Sequence, residues 1–278
     1  SRQRPWEGLG PLGDAEAALG ETPWQPLSST DSRTIDGWLQ PRMMTPDEIK
    51  TLVEDYGKAA ARVVEAGFDL IDIHAAHGYL LHSFLSPVAN SRNDEYGGDI
   101  TGRMRLVLEI AESVRANLPA DKPLFFRLSC VDWRKDLDDR NDGWTIEDSF
   151  VLARELHQRG VDLIDCSSGG IRAENSLMDY AKKRKKLARG YQVPHAEAIR
   201  NATGIPTMAV GAILDGPQAE AILQAGQADL IAIGREALND PHWGLHAAQQ
   251  LGIDPEWKQW PDSYGWWLEL RERIGIED

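Results

Sequence analysis

His74, His77 and Tyr79 fall within one short stretch, FDLIDIHAAHGY, from Phe68 to Tyr79. Two neutral imidazoles three residues apart can donate hydrogen bonds to a single substrate oxygen. A phenol beside them can give up a proton, so together they form an arrangement for polarising a bond and protonating it. Zinc binding is a competing reading, although no third His, Asp or Cys stands at a convincing ligand position. Structural histidines satisfied by their neighbours are another.

Three further features could do chemistry. Arg127 interrupts the otherwise apolar run Leu124-Phe125-Phe126-Arg127-Leu128, and a buried guanidinium needs a partner, either a core carboxylate or an electron-rich ligand edge. Gly211 and the pair Gly234-Arg235 follow two apolar runs near the C-terminus, where backbone N–H groups and an arginine can clamp a phosphate. The basic run Lys182 to Lys186 reads either as a solvated face or as an attractor for the phosphates of a pyridine nucleotide.

The elements that must position these groups alternate. Thr45-Pro46-Asp47-Glu48 is a capping box with proline at the first helical position, and it opens a helix that Gly67 ends. A strand is predicted at Phe68 to Ile73, followed by a helix from about Thr101 to Asn117 and a strand at Pro123 to Ser129. Next come a helix near Thr145 to Gly160, a strand at Val161 to Ser168 and a helix opened by Pro194. The series ends with a strand at Pro206 to Gly211, a helix at Pro217 to Ala225 and a strand at Asp229 to Gly234. Alternation of this kind implies a parallel sheet covered by helices. Asp-Leu-Ile recurs at residues 69, 162 and 229, each time shortly after a glycine, whereas the strands between begin after a proline. A two-unit period with polar residues at strand C-terminal ends (His74, Arg127, Ser167, Gly211, Arg235) favours a (β/α)8 barrel over a doubly wound sheet. Only five strands can be counted, so about five βα units, corresponding to strands 4 to 8, are expected within a single domain spanning 1–278. Residues 1–44 read as a long surface loop and 253–278 as a Trp-rich tail.

The net charge of −14 argues against nucleic acid or an anionic membrane as partner. Two cysteines form no disulfide framework or metal cluster, no apolar run reaches the length of a membrane span and no signal-peptide pattern opens the chain; the reading is a cytoplasmic protein. Tail tryptophans at 257, 260, 266 and 267 suggest docking, hence a homo-oligomer, a dimer or tetramer with the tail at its interface.

HAAHGYLLHSFLSPVANSRNDEYGG, from His74 to Gly98, closely resembles the old yellow enzyme family of FMN-dependent ene-reductases, in its thermophilic-type and xenobiotic-reductase-type branch. The likeness extends to RPWEG at 4–8, FFRLS, the SSGG turn, GYQVP at 190–194 and IGREALNDPHW. It implies an FMN-binding barrel that takes electrons from NADPH or NADH and passes hydride to activated C=C bonds by a ping-pong route. His74 and His77 would hold the carbonyl or nitro oxygen of the substrate, with Trp267 beside it. Tyr79 would protonate the α-carbon, and Arg127 would sit beside flavin N1 and O2. Ser168, Gly169, Val210, Gly211, Gly234 and Arg235 would complete the cofactor site, with no metal. The family pattern has Asn where this chain has Gly102, which would loosen a local turn. Members also carry three strands upstream of this stretch. The alternative to an enzyme is an inert barrel fragment unable to hold flavin unless another chain completes it.

Overall fold

The repeated Asp-Leu-Ile motif acquires a physical reason in three dimensions. Asp162 Oδ2 accepts the N–H of Leu124 at 2.8 Å, and Asp229 Oδ2 accepts that of Thr207 at 2.9 Å. Each aspartate therefore satisfies the first free donor of the strand beside its own. Asp69, the first copy, lies at the sheet edge and is fully exposed, with Lys122 Nζ 3.8 Å away.

The structure is a computed structural model that describes residues 10, 12–32, 39–134, 142–171 and 187–275. In chain order the elements are α1 (Asp14–Ala18), β1 (Leu27–Ser28), β2 (Arg42–Met43), α2 (Pro46–Glu65), β3 (Ile71–Ala75), α3 (Leu80–Leu85), α4 (Ile100–Ala116), β4 (Leu124–Ser129), α5 (Ile146–Gln158) and β5 (Leu163–Ser167). They continue as α6 (Val193–Thr203), β6 (Thr207–Val210), α7 (Gly216–Gln224), β7 (Leu230–Ala232), α8 (Arg235–Asn239), α9 (Trp243–Gln250) and α10 (Asp262–Ile274). Strands β3 to β7 make one parallel sheet in strict chain order. A doubly wound sheet reverses its strand order at a switch point, and this one does not. The arrangement is that of five consecutive βα units of a (β/α)8 barrel.

Register settles which side chains share a face. His74 is opposite Arg127, Arg127 opposite Asp165 and Asp165 opposite Met208, so these four project from the inner face at one level. The alternate residues Ile73, Leu124, Phe126, Leu128, Ile164 and Ala209 are buried and belong to one hydrophobic cluster with the helices, in which α2 packs on α4 and α6 on both α5 and β6. Full burial of a side chain the size of Phe126 or Leu128 stabilises by roughly 1.5–3 kcal/mol.

The capping box is present as expected: Thr45 Oγ1 accepts the Glu48 N–H at 3.3 Å, and Glu48 Oε2 accepts the Thr45 N–H at 2.8 Å. Arg42 adds two bonds to the same carboxylate and holds it down to about 2. Several boundaries differ from the sequence reading. The first strand of the sheet begins at Ile71, because Phe68 N–H still bonds Val63 O and closes the helix. Residues 1–44, where described, carry elements of their own: α1, opened by Glu16 Oε2 accepting the Gly13 N–H, and the β1–β2 pair. The Trp-rich tail contains a helix, α10. Gly102, too, has a reason to be glycine. A Cβ there would come within 2.0 Å of the Gly97 carbonyl oxygen, so the turn closes tightly over α4 instead of loosening. The Lys182–Lys186 run and the RPWEG segment lie outside the described residues.

Candidate active site

The turn after β3 carries the chemistry and is built under constraint. His77 adopts φ +61° and Gly78 φ +77°, two consecutive left-handed residues. For histidine that conformation costs on the order of 1–3 kcal/mol and persists only where the surroundings impose it. The turn meets the segment after β5 backbone to backbone. A Cβ on Gly78 would lie 2.2 Å from the Gly170 carbonyl oxygen, and one on Gly170, itself at φ +106°, would lie 1.9 Å from the His77 carbonyl carbon. Only glycine fits at either position. The His77 N–H donates to Ser129 Oγ at 2.9 Å, and that hydroxyl donates to Gly169 O at 2.8 Å, so the ends of β4 and β5 hold the turn together.

The side chains on this turn form a directional chain. Ala76 N–H points at His74 Nδ1 (3.4 Å), which leaves the His74 proton on Nε2, facing His77 Nδ1 at 3.0 Å. His77 Nε2–H then donates to Ser167 Oγ at 2.6 Å, and Ser167 faces Gln192 Oε1 at 3.4 Å. Ser168 donates to the same Gln192 oxygen at 2.5 Å, and Gln192 Nε2 donates to Val210 O at 3.1 Å. These tautomers follow from the donors and acceptors around each ring. The two imidazoles thus lie close enough to serve one oxygen, and at rest they bond to each other. Burial pushes both rings below the ordinary histidine value, with Arg127 adding to the effect, and His77 falls to about 4. Both are neutral donors at neutral pH. The Tyr79 ring stands edge-on to His74, centroids 5.4 Å apart, and is 59% exposed.

Arg127 finds the core carboxylate: its Nε lies 3.2 Å from Asp165 Oδ2. Asp72 projects beside them from β3. Burial pushes Asp165 up to about 7 and Asp72 up to about 6, outweighing the pull of Arg127 in both, and the two carboxyls share hydrogen-bonding contact. The guanidinium also faces a cleft of about 470 Å³. That cleft brings together His77, Arg127 and Ser167 with Tyr191, Gln192, Val210, Gly211, Ala212, Ala232, Gly234 and Arg235. Gly211 has φ +114°, and a Cβ there would meet Gln192 Nε2 at 2.6 Å and Tyr191 Cε1 at 3.0 Å. The bare backbone at that point is therefore part of the cleft wall.

Of the residues expected at the site, His77, Arg127, Val210, Gly211, Gly234 and Arg235 line this cleft, and His74 joins it through His77. Ser168 and Gly169 stand just behind, in the loop that supports the histidine turn. Trp267 does not line the cleft; it is 64% exposed on α10 with its ring edge-on to Trp266, centroids 4.6 Å apart. Asp165, Gln192 and Tyr191 carried no role in the sequence reading. The signals that could have found them are the inner-face alternation of Asp165 with Ser167 and the position of Gln192 in the GYQVP motif. An arginine at one end, an arginine and bare glycines at the other, and apolar walls between fit a flat cofactor with an anionic tail.

Comparison with known proteins shows the family and agrees with the fold. Residues 13–253 match the model of the NADH:flavin oxidoreductase / NADH oxidase family. An NADPH dehydrogenase of Bacillus subtilis is 45% identical over 215 residues, covering 77% of this chain and 58% of that protein. One from Geobacillus thermodenitrificans is 43% identical over 216 residues, covering 78% and 58%. The chain therefore spans under two thirds of the length of these relatives. Among solved structures, morphinone reductase superposes with a TM-score of 0.61 at 25% identity, covering 82% of this chain and 60% of that one. A 2-naphthoyl-CoA reductase, at 23% identity and TM-score 0.71, shares the fold.

Proposed function

This chain belongs to the NADH:flavin oxidoreductase / NADH oxidase family, and from that membership we propose that it carries the substrate face and phosphate end of an FMN-dependent, NAD(P)H-driven reductase of activated C=C bonds. The observation that carries the reading is convergence: His77 and Arg127 from one end of the sheet line the same cleft as Gly211, Gly234 and Arg235 from the other. Arg127 would face the polar edge of the cofactor ring, and the glycine backbones with Arg235 would hold its phosphate. When bound, reduced FMN supplies the hydride.

The chain's own residues do the rest. His74 Nε2–H, now given to His77, is the donor that an enone carbonyl or a nitro oxygen would take over, with His77 as the second donor once its ring leaves Ser167. Hydride arriving at the β-carbon builds negative charge on that oxygen, so donors aimed there bind the transition state more tightly than the ground state. Tyr79, exposed beside His74, gives its phenolic proton to the α-carbon, and solvent restores it. His77 near 4 suits this role because a neutral imidazole donates without itself being titrated. The exposed Trp266 and Trp267 on α10 support the further reading of a homo-oligomer with this segment at the interface, which sedimentation would test.

The test is direct. Protein mixed with FMN and freed of excess should keep a flavin absorbance band, bleach anaerobically with NADPH or NADH, and recover colour on addition of an enone or nitroalkene. A protein that stays colourless would be the inert fragment instead.

A further inference from the structure

Behind the turn lies a pair of ionisable side chains that the chemistry above does not use. His82 on α3 and Asp132 after β4 have no solvent exposure at all. His82 Nδ1 accepts the N–H of Gly78 at 2.9 Å, so that nitrogen is bare and the ring proton is on Nε2. Nε2 faces Asp132 Oδ1 at 3.1 Å, and among the described residues neither atom has another partner. The other carboxylate oxygen, Oδ2, accepts Ser86 Oγ–H at 2.6 Å and Trp144 N–H at 2.8 Å. One circuit therefore ties Gly78 in the turn to α3, to the segment after it, to the exit of β4 and to the entry of α5.

We propose that His82 and Asp132 are positioning residues: through the Gly78 N–H they hold His77 and Gly78 in their left-handed conformation and so aim His77 and the extended Tyr79 that follows. What those two side chains then do rests on the reductase reading; the tether itself does not. The circuit has a strict polarity. Asp132 must accept on both oxygens, from an imidazole N–H on one side and from a hydroxyl and an amide on the other. An asparagine at 132 satisfies only one side. If its oxygen faces Trp144, its NH2 confronts Nε2–H and the His82 proton must move to Nδ1, which ejects the Gly78 donor. If its oxygen faces His82, the NH2 confronts the Trp144 N–H. A buried polar network in which one partner is mismatched loses the full benefit of its bonds.

The experiment is carried out on the whole chain with FMN present, with 15N-labelled histidine, comparing wild type with Asp132→Asn. Wild-type His82 should report a bare Nδ1 and a protonated Nε2, with a slowly exchanging Gly78 amide. Asp132→Asn should shift the His77 ring signals, speed Gly78 exchange at least tenfold and weaken binding of a simple phenol about tenfold, a change of about 1.4 kcal/mol, with the melting transition still cooperative. A wild-type His82 protonated on Nδ1 overturns the proposal, as does an Asp132→Asn protein whose His77 signals and phenol affinity are unchanged. If Asp132→Asn does not fold, the wild-type tautomer and Ser86→Ala decide. Ser86→Ala removes one donor to Asp132 and should move the same His77 signals by less; no movement counts against the tether. A wild type that reduces no activated alkene while its His77 signals still respond to Asp132→Asn removes the reductase reading and leaves the tether in place.

Discussion

The two ends of the cleft are made differently. At the histidine end, positions are set by buried, bonded side chains, Ser129 on the His77 N–H and His82 on the Gly78 N–H, and by the Gly170 backbone packed against the turn. At the glycine end the wall is backbone. Gly211 leans on Gln192 and Tyr191, nothing lies within 4 Å of where a Gly234 Cβ would be, and Arg235 is exposed with no carboxylate partner among the described residues. The first end is held by side-chain hydrogen bonds to the turn's own backbone, whereas the second presents bare backbone and an exposed guanidinium to what it would hold. Substitutions at the histidine end should therefore change rates and ligand discrimination, and those at the glycine end cofactor affinity and ligand-linked stability.

The largest effect expected is at the ordered end. Tyr79→Phe removes the proposed proton donor and should slow alkene reduction by roughly 10²–10⁴-fold, the range that general acid catalysis supplies. Flavin reduction by NADPH should change only a few-fold, because no phenolic proton enters that half-reaction. Stopped-flow measurement of the two half-reactions separates them, and equal losses in both would break the assignment. Arg235→Ala, at the other end, should weaken FMN binding by about 10–100-fold, the worth of charge-assisted hydrogen bonds of 1.5–3 kcal/mol. The rise in melting temperature on adding FMN should shrink accordingly, while turnover per bound flavin stays near the wild-type value. His77→Ala should weaken binding of phenolic and enone ligands by about tenfold, as loss of one good donor predicts, and leave flavin content nearly unchanged. An Arg235→Ala protein that loses turnover, or a His77→Ala protein that loses flavin, would erase the distinction between the two ends.

The same distinction explains what the sequence made legible. Strands and helices could be placed because glycine, proline and capping residues act locally, as Thr45 and Glu48 do across three residues. Of the residues that line the cleft, Arg127, Ser167, Gly211 and Arg235 could be picked out because they stand at strand C-terminal ends, whereas Tyr191 and Gln192, away from any strand end, could not. The supports could not. Ser168 and Gln192 are 24 positions apart, and Asp132 and Ser86 are 46 apart, so nothing near either residue announces its partner. Phe68 misled for a related reason: its type suits a strand, but its N–H was already committed to Val63 and its carbonyl to Lys122 Nζ. Gly102 was read as loosening its turn because the family pattern has Asn there, when the atom that forbids a side chain belongs to Gly97.

The smallest effect expected is a near-absence of change with pH, and it tests whether the ordered end is as desolvated as its geometry implies. His77 sits at about 4, depressed chiefly by burial and then by Arg127. Between that value and an unfolded value of 6.5 the unfolded chain binds the extra proton, so this ring makes the fold less stable as pH falls from 6.5 toward 4 and contributes no slope above that window. Asp165 has the opposite sign. Its folded value, raised to about 7, lies above an unfolded 3.8, so its contribution to stability is lost as pH climbs through that window. A neutral enone would take its hydrogen bonds from the two imidazoles, so its binding follows the first term more closely than stability does. Its dissociation constant should therefore vary less than about twofold between pH 8 and 6, whereas an ordinary imidazole with a value near 6.5 would be mostly protonated at the lower end. Affinity should change only as pH approaches 5 and below. An inflection near pH 6.5 in enone titration of the oxidised protein that persists in Asp72→Asn and Asp165→Asn variants would mean that water reaches His77 and that the turn is not held shut.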